Sequence, residues 1–175
     1  MYHVVLLIEQ ELSELDATQI TSLHEGIDEQ VVYHVLLPVE DPSGQVEATL
    51  GNLAASDTLS NIPLTPDVDL ELLQHEIVEG SRAAAAASAA ALKAKGREAV
   101  SEVTTIDPVD ALIAAVKKSG ARETIILTRP HVVAGFFHRD WTSRARRHLG
   151  VPVLHLLEHE TFAEQSGSGE GVTGV

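Results

Sequence analysis

Apolar residues run unbroken from Val4 to Ile8 in YHVVLLI (2–8), and almost unbroken through QVVYHVLLPV (30–39). Short runs without polar alternation predict strands buried on both faces. REAVSEVTTI (97–106), RETIILT (122–128) and VPVLHLL (151–157) read as three more strands. Helical patterns separate them. SELDATQITSLHEG (13–26) spaces Leu15, Ile20 and Leu23 loosely at helical intervals and ends on Gly26. DPVDALIAAVKKSG (107–120) is fully punctuated, with Asp107 as N-cap, Pro108 at the first helical position, lysines in the last turn and Gly120 beyond. DWTSRARRHLG (140–150) predicts a short helix with Trp141, Ala145, His148 and Leu149 on one face.

A long helix is expected after Pro66, capped by Asp67 or Asp69 and running through LELLQHEIVEGSRAAAAASAAALKAK to Gly96, with Gly80 as a point of kinking. Its alanines read as structural, because small side chains let a helix approach a sheet closely. Strands alternating with helices imply a parallel sheet with right-handed crossovers. The expected fold class is therefore α/β, a doubly wound, five-stranded, flavodoxin- or Rossmann-like sheet. Residues 1–160 form a single domain in this reading, with an insertion or lid at 40–67, since ordinary loops run to about 4–6 residues. Residues 161–175, ending QSGSGEGVTGV, have the composition of a flexible tail.

Of the 175 residues 44% are apolar and only 3% aromatic, so the core has to be built from Val, Leu, Ile and Ala. The absence of cysteine excludes disulfides, thiolate metal sites and cysteine nucleophiles. MYHVVLLIEQ carries no basic leader and too short an apolar run for a signal peptide or membrane span, which points to a cytoplasmic protein.

Charge changes the picture through its distribution. No Lys or Arg precedes Arg82, while 16 of the 26 acidic residues do, so the net −14 divides into −16 and +2. Lys117, Lys118, Arg122, Arg129, Arg139, Arg144, Arg146 and Arg147 form one basic island, opposed within it only by Glu123 and Asp140. An acidic surface disfavours nucleic acid and anionic membranes as partners. A small anion bound inside the island remains open, and LTRPHVVAGFFHRDW (127–141) is the segment that would meet it.

The order of elements, the passage DPVDALIAAVKKSGARETIILTRPH and the stretch RARRHLGVPVLHLL resemble universal stress proteins, in which a glycine-rich loop follows the fourth strand and a Pro-Val pair opens the fifth. The resemblance implies the adenine nucleotide alpha hydrolase-like fold with strand order 3-2-1-4-5. It also implies a homodimer paired through the fifth strand, and a site for ATP or another adenine nucleotide at the carboxyl end of the sheet. ATP-binding members carry Gly, two residues, Gly, nine residues, Gly and then Ser or Thr. Here Thr128 and His131 stand at the first two glycines. The Gly-Ser pair falls on Trp141-Thr142 counted forward, or on Arg139-Asp140 counted back from Pro152. Gly135 matches neither glycine position, and Pro130 removes a backbone donor.

At the end of the first strand, where such members carry Asp, this chain has Glu9. The implied site is therefore Glu9, Thr128, Arg129, His131, Arg139 and Thr142, with adenine-nucleotide binding weakened or lost. Glu9 and Arg129 either face a ligand across one cleft or pair with each other. The first expectation is a non-catalytic regulatory domain that acts on a protein partner the sequence does not name. The alternative is a nucleotide-hydrolysing or nucleotide-transforming enzyme using Glu9, Arg129, His131 and His138. No GxSxG, Walker, dinucleotide or zinc pattern occurs, and His155 with His159 at a strand exit does not converge as metal ligands do. Phe136, Phe137 and Trp141 either stack a base or seal the sheet's end.

Overall fold

The computed structural model describes residues 1–39, 70–129 and 137–158, apart from the side chains of residues 70, 71, 73 and 137–140. The insertion expected at 40–67, the tail 161–175, Pro130, His131, Gly135, Phe136, His159 and the side chains of His138, Arg139 and Asp140 lie outside what it describes.

Among the described residues, five strands, β1 (Tyr2–Ile8), β2 (Val31–Pro38), β3 (Glu98–Thr104), β4 (Glu123–Thr128) and β5 (Val153–Leu157), alternate with four helices. These are α1 (Glu14–Ser22), α2 (Leu70–Ala94), α3 (Pro108–Ser119) and α4 (Phe137–His148). All strand pairings are parallel, in the order β3-β2-β1-β4-β5. The unbroken apolar run of β1 is explained by its central position, since Val4–Ile8 are fully buried against a layer on each side.

Alternate strand residues divide between two cores. Val4, Leu6, Ile8, Tyr33, Val35, Ile125 and Leu127 meet Ala17 and Ile20 of α1 and Ala85, Ala89 and Leu92 of α2. Val5, Leu7, Leu36, Ile126 and Val153 meet Leu112 and Val116 of α3 and Ala145 of α4. Each buried branched aliphatic side chain contributes about 1.5–3 kcal/mol. The alanine-rich stretch of α2 is packing surface. Ala85 and Ala89 lie on the sheet, and Ser88 between them accepts from the Leu12 amide (3.0 Å) while donating to the Ala84 carbonyl (2.8 Å).

The punctuation of α3 is realised in full. The Asp107 carboxylate accepts from Val109 N (2.9 Å) and Asp110 N (3.1 Å), and Gly120 adopts the left-handed conformation at φ 63°. Arg144 grips the same carboxylate with both Nη atoms (2.9 and 3.0 Å), so the cap of α3 also anchors α4. That guanidinium contact, helped by the backbone donors, holds the Asp107 carboxyl below its usual range.

Local expectations differ in three places. The last helix starts at Phe137 rather than Asp140, with His148 exposed rather than on the packed face. β3 stops at Thr104, leaving Ile106 59% exposed so that Asp107 can cap α3. α1 ends at Ser22, and of Leu15, Ile20 and Leu23 only Ile20 is buried; Asp16, Ala17, Gln19 and Thr21 complete its inner face.

Candidate functional site

In a doubly wound sheet the crevice for a ligand lies beyond the carboxyl ends of the strands, where the order reverses around the first strand. Here a cleft of about 300 Å³ opens at that end. Its floor is Glu9, Gln10 and Glu11 leaving β1, one wall is Leu37 and Pro38 ending β2, and the other is Ile77, Gly80, Ser81 and Ala84 of α2. The cleft therefore lies on the β1–β2 side of the switch point. Gly80, expected as a point of kinking, forms the small-residue wall together with Ser81.

Glu9 is the charged group at the centre of this end. Its side chain is 2% exposed, and its Oε2 accepts from the Arg129 amide at 2.6 Å and lies 3.7 Å from Arg129 Nε. Of the two arrangements open in the sequence, the pairing across the ends of β1 and β4 is realised. Arg129 remains about half exposed, so its guanidinium still meets solvent beside the cleft.

The remaining expected site residues diverge. The Thr128 hydroxyl is buried and lies 2.8 Å from His155 Nε2, on the strand that follows. Thr142 is buried in the layer of α3 and α4, and its Oγ1 has no hydrogen-bond partner among the described residues. His131 lies outside the described residues; Arg139 is in α4, its side chain undescribed.

No pattern in the sequence singles out Glu158, which follows β5 directly. Its amide donates to the Thr128 carbonyl (2.8 Å), and the residue is 1% exposed. Neither carboxyl oxygen has a hydrogen-bond partner among the described residues. Burial, then the charges of Glu9 and Asp16, push its pKa up to about 7, against the smaller opposing pull of Arg129 and Gln10. Asp16 is buried as well, but its carboxylate accepts from Ser13 N and Oγ in a capping box.

The opposite end of the sheet is built differently. His24, buried in the turn after α1, donates from Nε2 to Glu123, and its Nδ1 lies 2.7 Å from the Tyr33 hydroxyl. Tyr33 in turn donates to the Ile20 carbonyl (3.2 Å), and Tyr2 donates to Glu123 (3.0 Å). Burial pulls the Glu123 carboxyl upward, but the bonds from His24 and Tyr2 outweigh it and hold the group below its usual range. Among the described residues no three His, Asp or Glu side chains are grouped to hold a metal ion.

No protein-family model and no curated protein matches the chain. Solved structures do. A universal stress protein family protein from Arabidopsis thaliana, determined with AMP bound, superposes at TM-score 0.55 with 11% identity, over 94% of this chain and 95% of that one. The chain has the universal stress protein fold. A universal stress protein from Archaeoglobus fulgidus matches at TM-score 0.51 and 12% identity, covering 89% of this chain and 93% of that one. A universal stress protein family member from Burkholderia pseudomallei matches at TM-score 0.50 and 16% identity, over 88% and 95%. The sheet order 3-2-1-4-5 is the order that the resemblance implied.

Proposed function

We propose that this chain is a divergent universal stress protein-like binding domain, non-catalytic, whose cleft takes an adenine nucleotide weakly. The observation that carries this reading is the buried Glu9 carboxylate, held by the Arg129 amide at the end of the central strand beside a cleft of about 300 Å³. A volume of that order lies at the small end of ligand pockets. Glu9 would accept from a ribose hydroxyl, the apolar wall of Leu37, Pro38, Ile77 and Ala84 would flank a base, and the exposed Arg129 guanidinium would meet a phosphate. AMP, bound in the Arabidopsis structure of the same fold, is the ligand to try first.

The acidic surroundings of Glu9 support weak binding, because among the described residues Glu11, Asp16 and Glu158 share this end with Arg129. The reading includes a cytoplasmic domain that pairs with a second copy along the outer edge of β5. Among the described residues no helix is long and apolar enough to cross a membrane. Calorimetric titration with AMP, ATP and adenosine tests the cleft: the expected result is weak heat with AMP that Glu9→Gln abolishes, without product formation on chromatography. Absence of binding at about 1 mM ligand overturns the nucleotide reading. Light scattering of the eluted protein tests the dimer.

A further inference from the structure

Glu158 is buried where three strands end, and among the described residues the groups facing it come from β1, α1 and β4. Glu9 follows β1, Asp16 belongs to α1 and Arg129 follows β4, while Gln10 adds an uncharged amide. His155 of β5 is engaged with Thr128. Glu9 and Asp16 both have backbone donors, from Arg129 and Ser13. Glu158 has none for either oxygen among the described residues, although its own backbone is fixed to Thr128. A carboxyl in that position is tolerated as a neutral acid and opposed as an anion, since ionisation would add a third negative charge that Arg129 and the Gln10 amide offset only in part.

We propose that Glu158 is a proton-operated positioning residue behind the cleft: neutral, it leaves Glu9 seated on Arg129, and ionised, it repels Glu9 and any anionic ligand. Glu158 does not line the cleft, so it acts through Glu9. The ligand that senses it most is a nucleoside monophosphate, whose own charge adds to the repulsion; an uncharged nucleoside senses only the displacement of Glu9. Binding of AMP is then coupled to retention of one proton, and its apparent affinity falls as pH rises past neutrality. The ligand half of this inference rests on the proposed function, whereas the proton half stands without it.

Carboxyl carbon resonances of the full chain, followed by NMR from pH 4 to 9, test the proton half. The Glu158 signal is expected to titrate near pH 7; a midpoint in the ordinary glutamate range, about 4.3, overturns the inference. For the ligand half, AMP is titrated at pH 6 and pH 8 into the wild type and Glu158→Gln. The wild type is expected to lose about tenfold more affinity between the two pH values than the variant. Comparing the two proteins cancels the titration of the AMP phosphate itself. Equal losses overturn the positioning role.

If neither AMP nor adenosine binds at about 1 mM, the cleft reading fails by itself. Glu158 is then judged by melting temperature: from pH 5 to pH 8 the wild type should lose stability relative to Glu158→Gln, and parallel profiles overturn the inference. Should the variant not fold, the NMR titration of the wild type decides alone.

Discussion

Glu123 and Glu158 occupy opposite ends of one sheet, and their carboxyl groups are shifted in opposite directions. Glu123 has two side-chain donors, His24 and Tyr2, and is held below the usual glutamate range even though burial pulls the other way. Glu158 is more deeply buried, has no hydrogen-bond partner among the described residues, only the weaker pull of Arg129 and Gln10, and is pushed up to about 7. Residue type and burial therefore do not decide the role of a carboxylate; the supply of donors does. At the amino end the donors are committed to fastening the turn after α1 to β1, β2 and β4. At the carboxyl end one acidic group is left dependent on a proton, beside the cleft.

The sharpest way to break this comparison is His24→Ala, which strips Glu123 and Tyr33 of a shared buried partner. It should cost about 2–4 kcal/mol in urea unfolding and leave AMP binding unchanged. A cost below about 1 kcal/mol would mean that the amino-end network is not structural.

The two carboxylates next separate by pH. Glu158 has a raised folded pKa, so its contribution is intact below its unfolded value and lost as pH rises from about 4.5 through about 7. Glu123 has a lowered one, so its contribution is present above the unfolded value and lost as pH falls through the folded value. Glu158→Gln should therefore stabilise at pH 8 by about 1–3 kcal/mol and do little at pH 4, while Glu123→Gln should destabilise at pH 7 and less at pH 3. Chemical denaturation across that range checks both signs.

Thr142→Val tests whether a helix position expected to contact phosphate does so. Its hydroxyl is buried without a partner among the described residues, so the isosteric change should stabilise by about 1 kcal/mol in thermal melts and leave AMP affinity intact. A loss of AMP affinity would return Thr142 to the site. The smallest effect on stability is expected from Arg129→Ala, under about 1 kcal/mol, because its side chain is half exposed and its amide still serves Glu9. Calorimetry should nevertheless show weaker AMP binding.

The elements of the fold were legible because they depend on patterns confined to single segments, while their order in the sheet came from the resemblance. The apolar run at Val4–Ile8, and Asp107 with Pro108 and Gly120 around α3, each state their structure locally. Glu9 was singled out by the resemblance instead, as the residue at the end of the first strand where ATP-binding members carry Asp. Its partnership with Arg129 was one of two arrangements that 119 intervening residues left open, and only pairing β1 with β4 decides between them. Glu158 carried no signal at all. It is one of 26 acidic residues, and its burial arises from β1, α1 and β4 meeting behind it. The cleft wall was hidden likewise, since Gly80 and Ser81 acquire meaning only when α2 is laid beside Pro38.

The central position of β1 has a consequence for synthesis. One of its neighbours, β2, is complete by Pro38, but the other, β4, is complete only at Thr128. At about 5–20 residues per second, the ribosome takes roughly 5–20 s to deliver the intervening chain. For that interval the most apolar strand of the protein has one open flank, so the time during which a nascent chain is prone to stick is set by where its first strand sits in the finished sheet.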